Sequence, residues 1–397
     1  MGKIAMDEKI LMLNASIHDE PLIQAAKRLG YYVITTSNRP HYPGHKYSAR
    51  YLYGDYSKID DMIAIVEQHS ISAVCCGTSD NTAIMAAQLG EYYGWPGHDS
   101  IETTLITHRK RDFKEFVRAN GIKSPIAKSY SSIDGVLADS KTFQYPIMVK
   151  PDDAAGGQGV SKVSSSAELR HALETCFGAS RDGSIVIEPF IEGKQFTFLT
   201  FLVSKKVRAW CTWSDHAYLD PYMVSGGVLP SDVPSEVSQK MVLEVQKIAD
   251  KLDLVDGPLN AQFIIRDGEP WIIEIMRRSP GNWTTSLASK AMGIDWNEWI
   301  IRAEVGLDCS GMPNGTVDGY WGYAVLLANH AGTFCGIRAD AEIVGNIDEC
   351  VFWQGIGHII ENEMSDKLGI VHLRFSSREE AEIKMRNFYS LISVEVL

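Results

Sequence analysis

"YPIMVKPDDAAGGQGVSKVSS", residues 145–165, sets one lysine and three glycines between two runs that read as extended chain. The apolar stretch 145–149 leads to Lys150, and Gly156, Gly157 and Gly159 follow before VSKVSS turns extended again. Glycine tolerates φ > 0 and lets backbone N–H groups close on phosphate oxygens with no Cβ in the way. Phosphate loops of the GxxxxGK and GxGxxG kinds run from a strand into a helix, whereas this one runs from strand to strand. The pattern predicts a hairpin flap over phosphates, with the Lys150 ammonium reaching past the sheet edge. A surface hairpin that needs glycine only for its turn is the plainer alternative.

A second stretch, "LNAQFIIRDGEPWIIEIMRRSPG" at 259–281, reads as a β-hairpin turning at Asp267-Gly268-Glu269. A three-residue turn makes the pairing symmetric about Gly268. Gln262 then faces Glu274, Asn260 faces Met276, and all four share one face. A two-residue turn would put Gln262 and Glu274 on opposite faces. Glu274 stands between isoleucines, where an unpaired carboxylate is costly, so it needs a cation: Arg277, Arg278 or a bound Mg²⁺. An internal Glu–Arg pair with no part in chemistry is the alternative. Between these stretches lies SIVIEPFIEGKQFTF, where Glu188 ends a strand and, with the nearby backbone, could meet an adenine edge. A solvated edge-strand acid is the bland reading.

The 397 residues suffice for two or three domains. Their formal charge of −12, from 38 basic against 50 acidic residues and without basic runs, argues against nucleic acid and anionic membrane as partners. No run approaches 18 apolar residues, as a spanning helix would need. Residues 1–14 lack a signal-peptide apolar region, and Met6 stands where a myristoylation motif wants Ser or Thr. Seven irregularly spaced cysteines without CxxC suit reduced thiols. A soluble cytoplasmic protein is expected.

The first hundred residues alternate KILMLN, PLIQAAKRLG, YYVITTS, YSKIDDMIAIVEQHS and ISAVCCG. Strand–helix alternation predicts a parallel, doubly wound sheet. Its first turn, Asn14-Ala15-Ser16-Ile17, lacks the glycines that seat a dinucleotide pyrophosphate. A polar stretch across 96–110 leads into a helix RKRDFKEFVRAN ending at Gly121. Residues 125–280 are β-rich. The last ninety or so carry strands GYAVLLAN and GIVHLRF and a closing helix REEAEIKMRNFYSLI.

Taken in order, the Lys150 flap, EPF-IEG and QF…IEIMRR-SPG resemble the ATP-grasp superfamily, in its amino-acid ligase and purine-biosynthetic carboxylate–amine ligase branches. The resemblance implies an α/β and α+β chain in three parts. A Rossmann-like domain spans 1–105, an ATP-grasp domain of two β-rich α+β subdomains spans 106–305, and a small C-terminal α+β lobe spans 306–397. It implies ATP with Mg²⁺ or Mn²⁺. Lys110, Lys150 and Gly156, Gly157 and Gly159 would hold the phosphates. Glu188 and the backbone at Phe190 and Ile191 would hold the adenine. Gln195 would lie near the ribose, where the family commonly has glutamate. Gln262 and Glu274 match the metal ligands, and Arg278 matches the arginine on the substrate carboxylate and its phosphorylated intermediate.

One departure stands out. The family pattern E-x-N sets asparagine two residues after the glutamate, and here that position is Met276. A thioether is a poor ligand for Mg²⁺, so Asn260, opposite in the hairpin, or Asn282 is expected to substitute. The implied activity is ligation of a carboxylate to an amine through an acyl phosphate, releasing ADP and phosphate. Activation of bicarbonate or formate, and an ATP-binding module without turnover, are the alternatives. The implied partners are small-molecule carboxylates and amines, with a homodimer through the N-terminal domain. Asp215 and His216 are further candidates to touch substrate. Trp283, Trp296 and Trp299 read as core, and His41 and His45 as part of a loop beside the cleft.

Overall fold

Lys9–Leu13 is a five-residue strand whose last four side chains are buried, as a strand covered on both faces requires. It sits inside a parallel sheet ordered Arg50–Tyr53, Tyr32–Ser37, Lys9–Leu13, Ala73–Cys75. Helices Glu20–Arg28, Ile59–His69 and Asp80–Tyr93 connect and flank its strands, so the alternation read from sequence is the observed fold. The computed structural model describes residues 8–363 and 366–397, and the reading of Met6 lies outside them. No helix among the described residues is long and apolar enough to cross a membrane.

The first turn reaches left-handed backbone without glycine, with φ of 76° at Asn14 and 57° at Ala15. Asp19 fixes it: the carboxylate accepts from Asn14 Nδ2 (3.1 Å), Ser16 N–H (2.7 Å), Ser16 Oγ (2.7 Å), Thr78 N–H (2.8 Å) and Thr78 Oγ1 (2.9 Å). The N–H groups of Ser16 and Thr78 are thus taken by an acid of the chain itself.

The polar stretch across 96–110 contains a helix that its composition concealed, Ile101–His108, capped by Ser100 Oγ accepting from Thr103 N–H at 3.1 Å. Beyond it, a four-stranded antiparallel sheet runs in the order Lys128–Tyr130, Ile185–Pro189, Ile147–Pro151, Ser161–Val163. Helix Ser166–Ala179 covers it through Leu169, Leu173 and Cys176.

The larger sheet has eight strands: Glu269–Met276, Gly257–Arg266, Gln195–Val203, Lys206–His216, Gly226–Leu229, Tyr320–Leu326, Gly369–Phe375 and Ile347–Phe352. Every neighbouring pair is antiparallel. Helix Ser235–Leu252 packs Val237, Met241, Val245 and Ile248 into one core with Phe198 and Phe263. Beyond residue 306, Tyr320–Leu326 joins this sheet beside Gly226–Leu229, while Ile359–Ile360, Gly332–Ala339 and Ile392–Val396 form a separate three-stranded sheet. The closing helix is interrupted at Asn387: Arg378–Arg386 and Phe388–Leu391 are both helical, and Ile392–Val396 then becomes a strand paired with Gly332–Ala339. The alternating ISVEV favours that pairing over further helix.

Candidate active site

The hairpin at 257–276 turns on two residues, not three. Arg266 pairs with Glu269, and both Asp267 (φ 54°) and Gly268 (φ 70°) are left-handed, as a tight hairpin turn demands. A two-residue turn alone would have split Gln262 and Glu274 between faces. A bulge prevents this: pairing passes from Phe263↔Ile272 to Gln262↔Glu274, leaving Ile273 as the extra residue. The expected register, Gln262 opposite Glu274 and Asn260 opposite Met276, thus arises by another route. The bulge also aims Ile273 and Glu274 together into one cleft.

That cleft, of about 520 Å³, lies between the two sheets. Lys110, at the start of helix Lys110–Ala119, reaches across it, with Nζ 3.9 Å from Glu274 Oε2 and 2.6 Å from Ala154 O. The expectation that a neighbouring arginine neutralises Glu274 is not met. Arg277 donates to Asp99 Oδ2 (2.8 Å) and Pro258 O (2.6 Å), and Arg278 to Asp80 Oδ1 (2.8 Å). Among the described residues the cation beside Glu274 is Lys110.

On the facing wall, Lys150 pairs with the buried carboxylate of Glu188, which also takes Lys114 Nζ at 2.8 Å. Burial raises the Glu188 pKa, but the two ammonium groups outweigh it and hold it down at about 2. The Glu188 carboxylate is therefore turned onto lysines and not onto an open base edge. Phe190 lines the same wall with Lys162 Nζ 3.9 Å from its ring centroid, and its N–H is taken by Pro146 O at 3.1 Å. Lys114 also donates to Ser124 Oγ (2.9 Å). It was missed in the sequence, although its i, i+4 spacing from Lys110 on one helix face was a usable signal.

The glycine loop closes the top. Gly156, Gly157 and Gly159 all have positive φ, at 67°, 79° and 69°. At Gly157 a Cβ would stand 2.5 Å from the Tyr222 carbonyl oxygen, so the flap touches the loop 217–225 across the cleft. Asp215, from strand Lys206–His216, lines the floor and accepts from Gln195 Nε2 (3.1 Å) and Thr197 Oγ1 (2.9 Å). Burial pushes its carboxyl up to about 7. Its neighbour His216 points the other way, as strand alternation dictates, with its ring stacked on Tyr218 and 3.9 Å from Glu382.

Residues 107–282 match the ATP-grasp domain family. This chain carries an ATP-grasp domain. Over 302 residues it is 24% identical to the carbamoyl phosphate synthase large chain of Clostridium beijerinckii, matching 74% of this chain and 27% of that one. It thus spans about a quarter of that curated relative's length. In fold it is similar to the L-amino acid ligase from Bacillus licheniformis (TM-score 0.82, 19% identity, 98% of this chain and 99% of that one). It is also similar to the biotin carboxylase domain of Hydrogenobacter thermophilus 2-oxoglutarate carboxylase, solved as a dimer with MgADP, ADP and bicarbonate (TM-score 0.78, 17% identity, 98% and 91%). At these identities the structural likeness is one of fold.

The ATP-grasp cleft brings together Lys110, Lys150, Gly156, Gly157, Glu188, Phe190, Ile191, Gln195, Gln262 and Glu274. Gly159, Asn260 and Arg278 stand behind its walls. Gly159 packs under Pro151 and Ala179. Asn260 is buried, with Nδ2 donating to Arg278 O at 2.9 Å and Oδ1 left without a partner. Met276 Sδ accepts from Arg278 Nη2 at 3.4 Å. Gln262 and Glu274 offer the cleft hard oxygens of the kind Mg²⁺ or Mn²⁺ takes, and the orphaned Asn260 oxygen belongs to the same strand two residues before Gln262. Among the described residues no group of three His, Cys, Asp or Glu offers a competing site. His45 is held by Thr35 and Ser37 hydroxyls at 2.9 and 3.2 Å and does not line the cleft. Trp296 is fully buried, with Trp283 and Trp299 packed against the same core.

Proposed function

We propose that this chain is an ATP-dependent ligase that joins a small carboxylic acid to an amine through an acyl phosphate, releasing ADP and phosphate. The observation that carries it is the convergence of Lys110, Lys150, Gln262 and Glu274 on one cleft beneath a glycine flap. A carboxylate does not acylate an amine unaided, because oxide is a poor leaving group, and phosphorylation replaces that oxide with phosphate. Lys110 and Lys150 would bind the nucleotide phosphates and offset the charge that builds up as the terminal phosphoryl group moves. Glu188 and Lys114 would orient Lys150 for that task. Gln262, Glu274 and Asn260 would hold Mg²⁺ or Mn²⁺, which supplies further neutralisation of phosphate charge when bound. The flap, seated on Tyr222, would keep water from the acyl phosphate. Arg278, fixed by Asp80, would hold the acid in line and steady its oxyanion as the amine attacks. No side-chain nucleophile is required.

The backbone at Phe190 and Ile191, with Gln195 holding Asp215, would receive the adenine and ribose end. A homodimer through the N-terminal part belongs to the same proposal and is checked by sedimentation. The deciding experiment measures ADP formation from Mg–ATP with pooled carboxylic and amino acids, with hydroxylamine as the trapping amine. Acid-dependent ADP with matching hydroxamate is the expected result. ADP formation dependent on bicarbonate or formate alone would replace the acid substrate in this scheme. Nucleotide binding without turnover across the pool would overturn it.

A further inference from the structure

Behind Val224, which lines the cleft, three distant parts of the chain meet. Ile17 and His18 come from the first turn, Asn282 and Trp283 from the loop after the metal-ligand strand, and Lys367 from the segment before strand Gly369–Phe375. Asn282 links them to the cleft: its Nδ2 donates to Val224 O at 3.2 Å, and its Oδ1 accepts from Lys367 Nζ at 3.0 Å. Asn282 and Trp283 both hold left-handed backbone, φ 52° and 49°, without being glycine. Strain of that kind persists only where the surroundings fix it, and it gathers at ligand sites. Trp283 Nε1 is tied to Ile17 O at 3.0 Å, and Trp353 meets the His18 ring edge-on at 5.2 Å.

Lys367 forms no ion pair among the described residues. Desolvation brings its pKa down to about 8, and its contacts are Asn282 Oδ1 and His18 Nε2, the latter at 3.3 Å. The His18 tautomer decides what that second contact is. The Asn282 backbone N–H can only donate, and it points at His18 Nδ1 from 3.2 Å, so Nδ1 is the acceptor. Burial, reinforced by the charges of Lys367 and Arg278, keeps the imidazole neutral, which places its one proton on Nε2. Lys367 Nζ and His18 Nε2 are thus two donors side by side, with no acceptor between them. Two convergent donors and an ammonium without a counter-ion are complementary to the oxygens of an anion.

We propose that Lys367 and His18 anchor a second oxyanion group, a carboxylate or a phosphate, on the acid substrate, so that the enzyme selects acids carrying two negative groups over simple monocarboxylates. This rests on the ligase reading for the word substrate, while the anion subsite itself does not need turnover. Propionate, succinate and 3-phosphonopropionate share a chain length and differ at the far end, and they serve as probes. Their binding to the full chain with Mg–ADP is read by calorimetry and by the fluorescence of Trp283 and Trp353. The dianions are expected to bind at least about tenfold more tightly than propionate, as a charge-assisted contact predicts. Lys367→Met is expected to collapse that ratio and Lys367→Arg to retain most of it. The melting temperature of Lys367→Met should not fall, since it removes a buried charge that has no counter-ion among the described residues. Equal binding of all three probes, an unchanged ratio in Lys367→Met, or no saturable binding of either dianion would each overturn the proposal. The tighter of the two dianions identifies carboxylate or phosphate. Dianion binding without ADP formation would keep the subsite and retire the ligase reading. Hydroxamate made as efficiently from propionate as from succinate would do the reverse.

Discussion

Arg278 Nε lies 2.8 Å from Asp80 Oδ1, which joins the end of the strand that carries Glu274 to the first residue of helix Asp80–Tyr93. Asp80 also receives His108 Nδ1 at 3.2 Å. Burial works against its ionised form, but Arg278 and His108 prevail and hold its pKa well below the usual carboxylate range. The guanidinium is therefore aimed from outside the cleft. Asp80→Asn should raise KM for the acid by about tenfold or more through misplaced contact geometry, while KM for ATP stays nearly unchanged. Steady-state kinetics with each substrate varied separately checks the split. An equal rise in both constants would remove Asp80 from a positioning role.

Asn260 and Met276 form a second testable pair. With Asn260 Oδ1 unpartnered opposite Met276, Asn260→Ala should weaken the Mg²⁺ requirement curve by about 10–100-fold, the usual range for a site near a metal. Met276→Asn in that background should recover part of the loss. Mg²⁺ titration of ADP formation reads both. Turnover unaffected by Asn260→Ala would take Asn260 out of the donor set.

The Glu188 pair predicts a pH signature. Its pKa is held at about 2, below the ordinary value of 4.5, so its contribution is complete above 4.5 and is lost as pH falls toward 2. Linkage sets that contribution at up to about 3 kcal/mol. Thermal unfolding from pH 7 to 2 should show this loss in the wild type. Glu188→Gln should lack that component and start from a lower melting temperature, because Lys114 is left buried without its acid. A wild type and variant with parallel pH profiles would contradict the assignment.

Gly157→Ala tests the flap. The added methyl meets the Tyr222 carbonyl at 2.5 Å, and φ of 79° disfavours any side chain. The flap should then sit open, lowering kcat by about tenfold and reducing hydroxamate formed per ADP as water reaches the acyl phosphate. The Gly268→Ala control, at φ 70° in the open hairpin turn, should lower stability and leave that ratio intact.

Much of this was legible in the chain because local rules agree there. The flap follows from a lysine, three glycines and two apolar runs, and the hairpin faces follow from period-two alternation. The Gln262–Glu274 register was legible only in outcome: the turn is a residue shorter than read, and a bulge at Ile273, which no composition signal marks, restores the pairing. Of the partners of Glu188, Lys114 was signalled only by its i, i+4 spacing from Lys110. The partners of Arg277 and Arg278 were not legible, because Asp99 and Asp80 are brought in by packing between distant elements, which leaves no trace in sequence spacing. Lys367 and His18 lie 349 positions apart, beyond the reach of any periodicity.

The order of strands in the large sheet also carries a consequence for how the protein is made. On a ribosome the hairpin ending at Met276 can pair with Gln195–Val203 before the strands from Tyr320 onward exist. At ordinary rates of synthesis the ninety or so residues to Lys367 take on the order of ten seconds. During that interval the nascent chain has the cleft walls that carry Lys150 and Glu274 but lacks Lys367, and Gly226–Leu229 is a sheet edge awaiting its neighbour. That edge is four residues long and half glycine, a poor template for a stray strand. A half-built enzyme is thereby protected at the seam where its last third will be added.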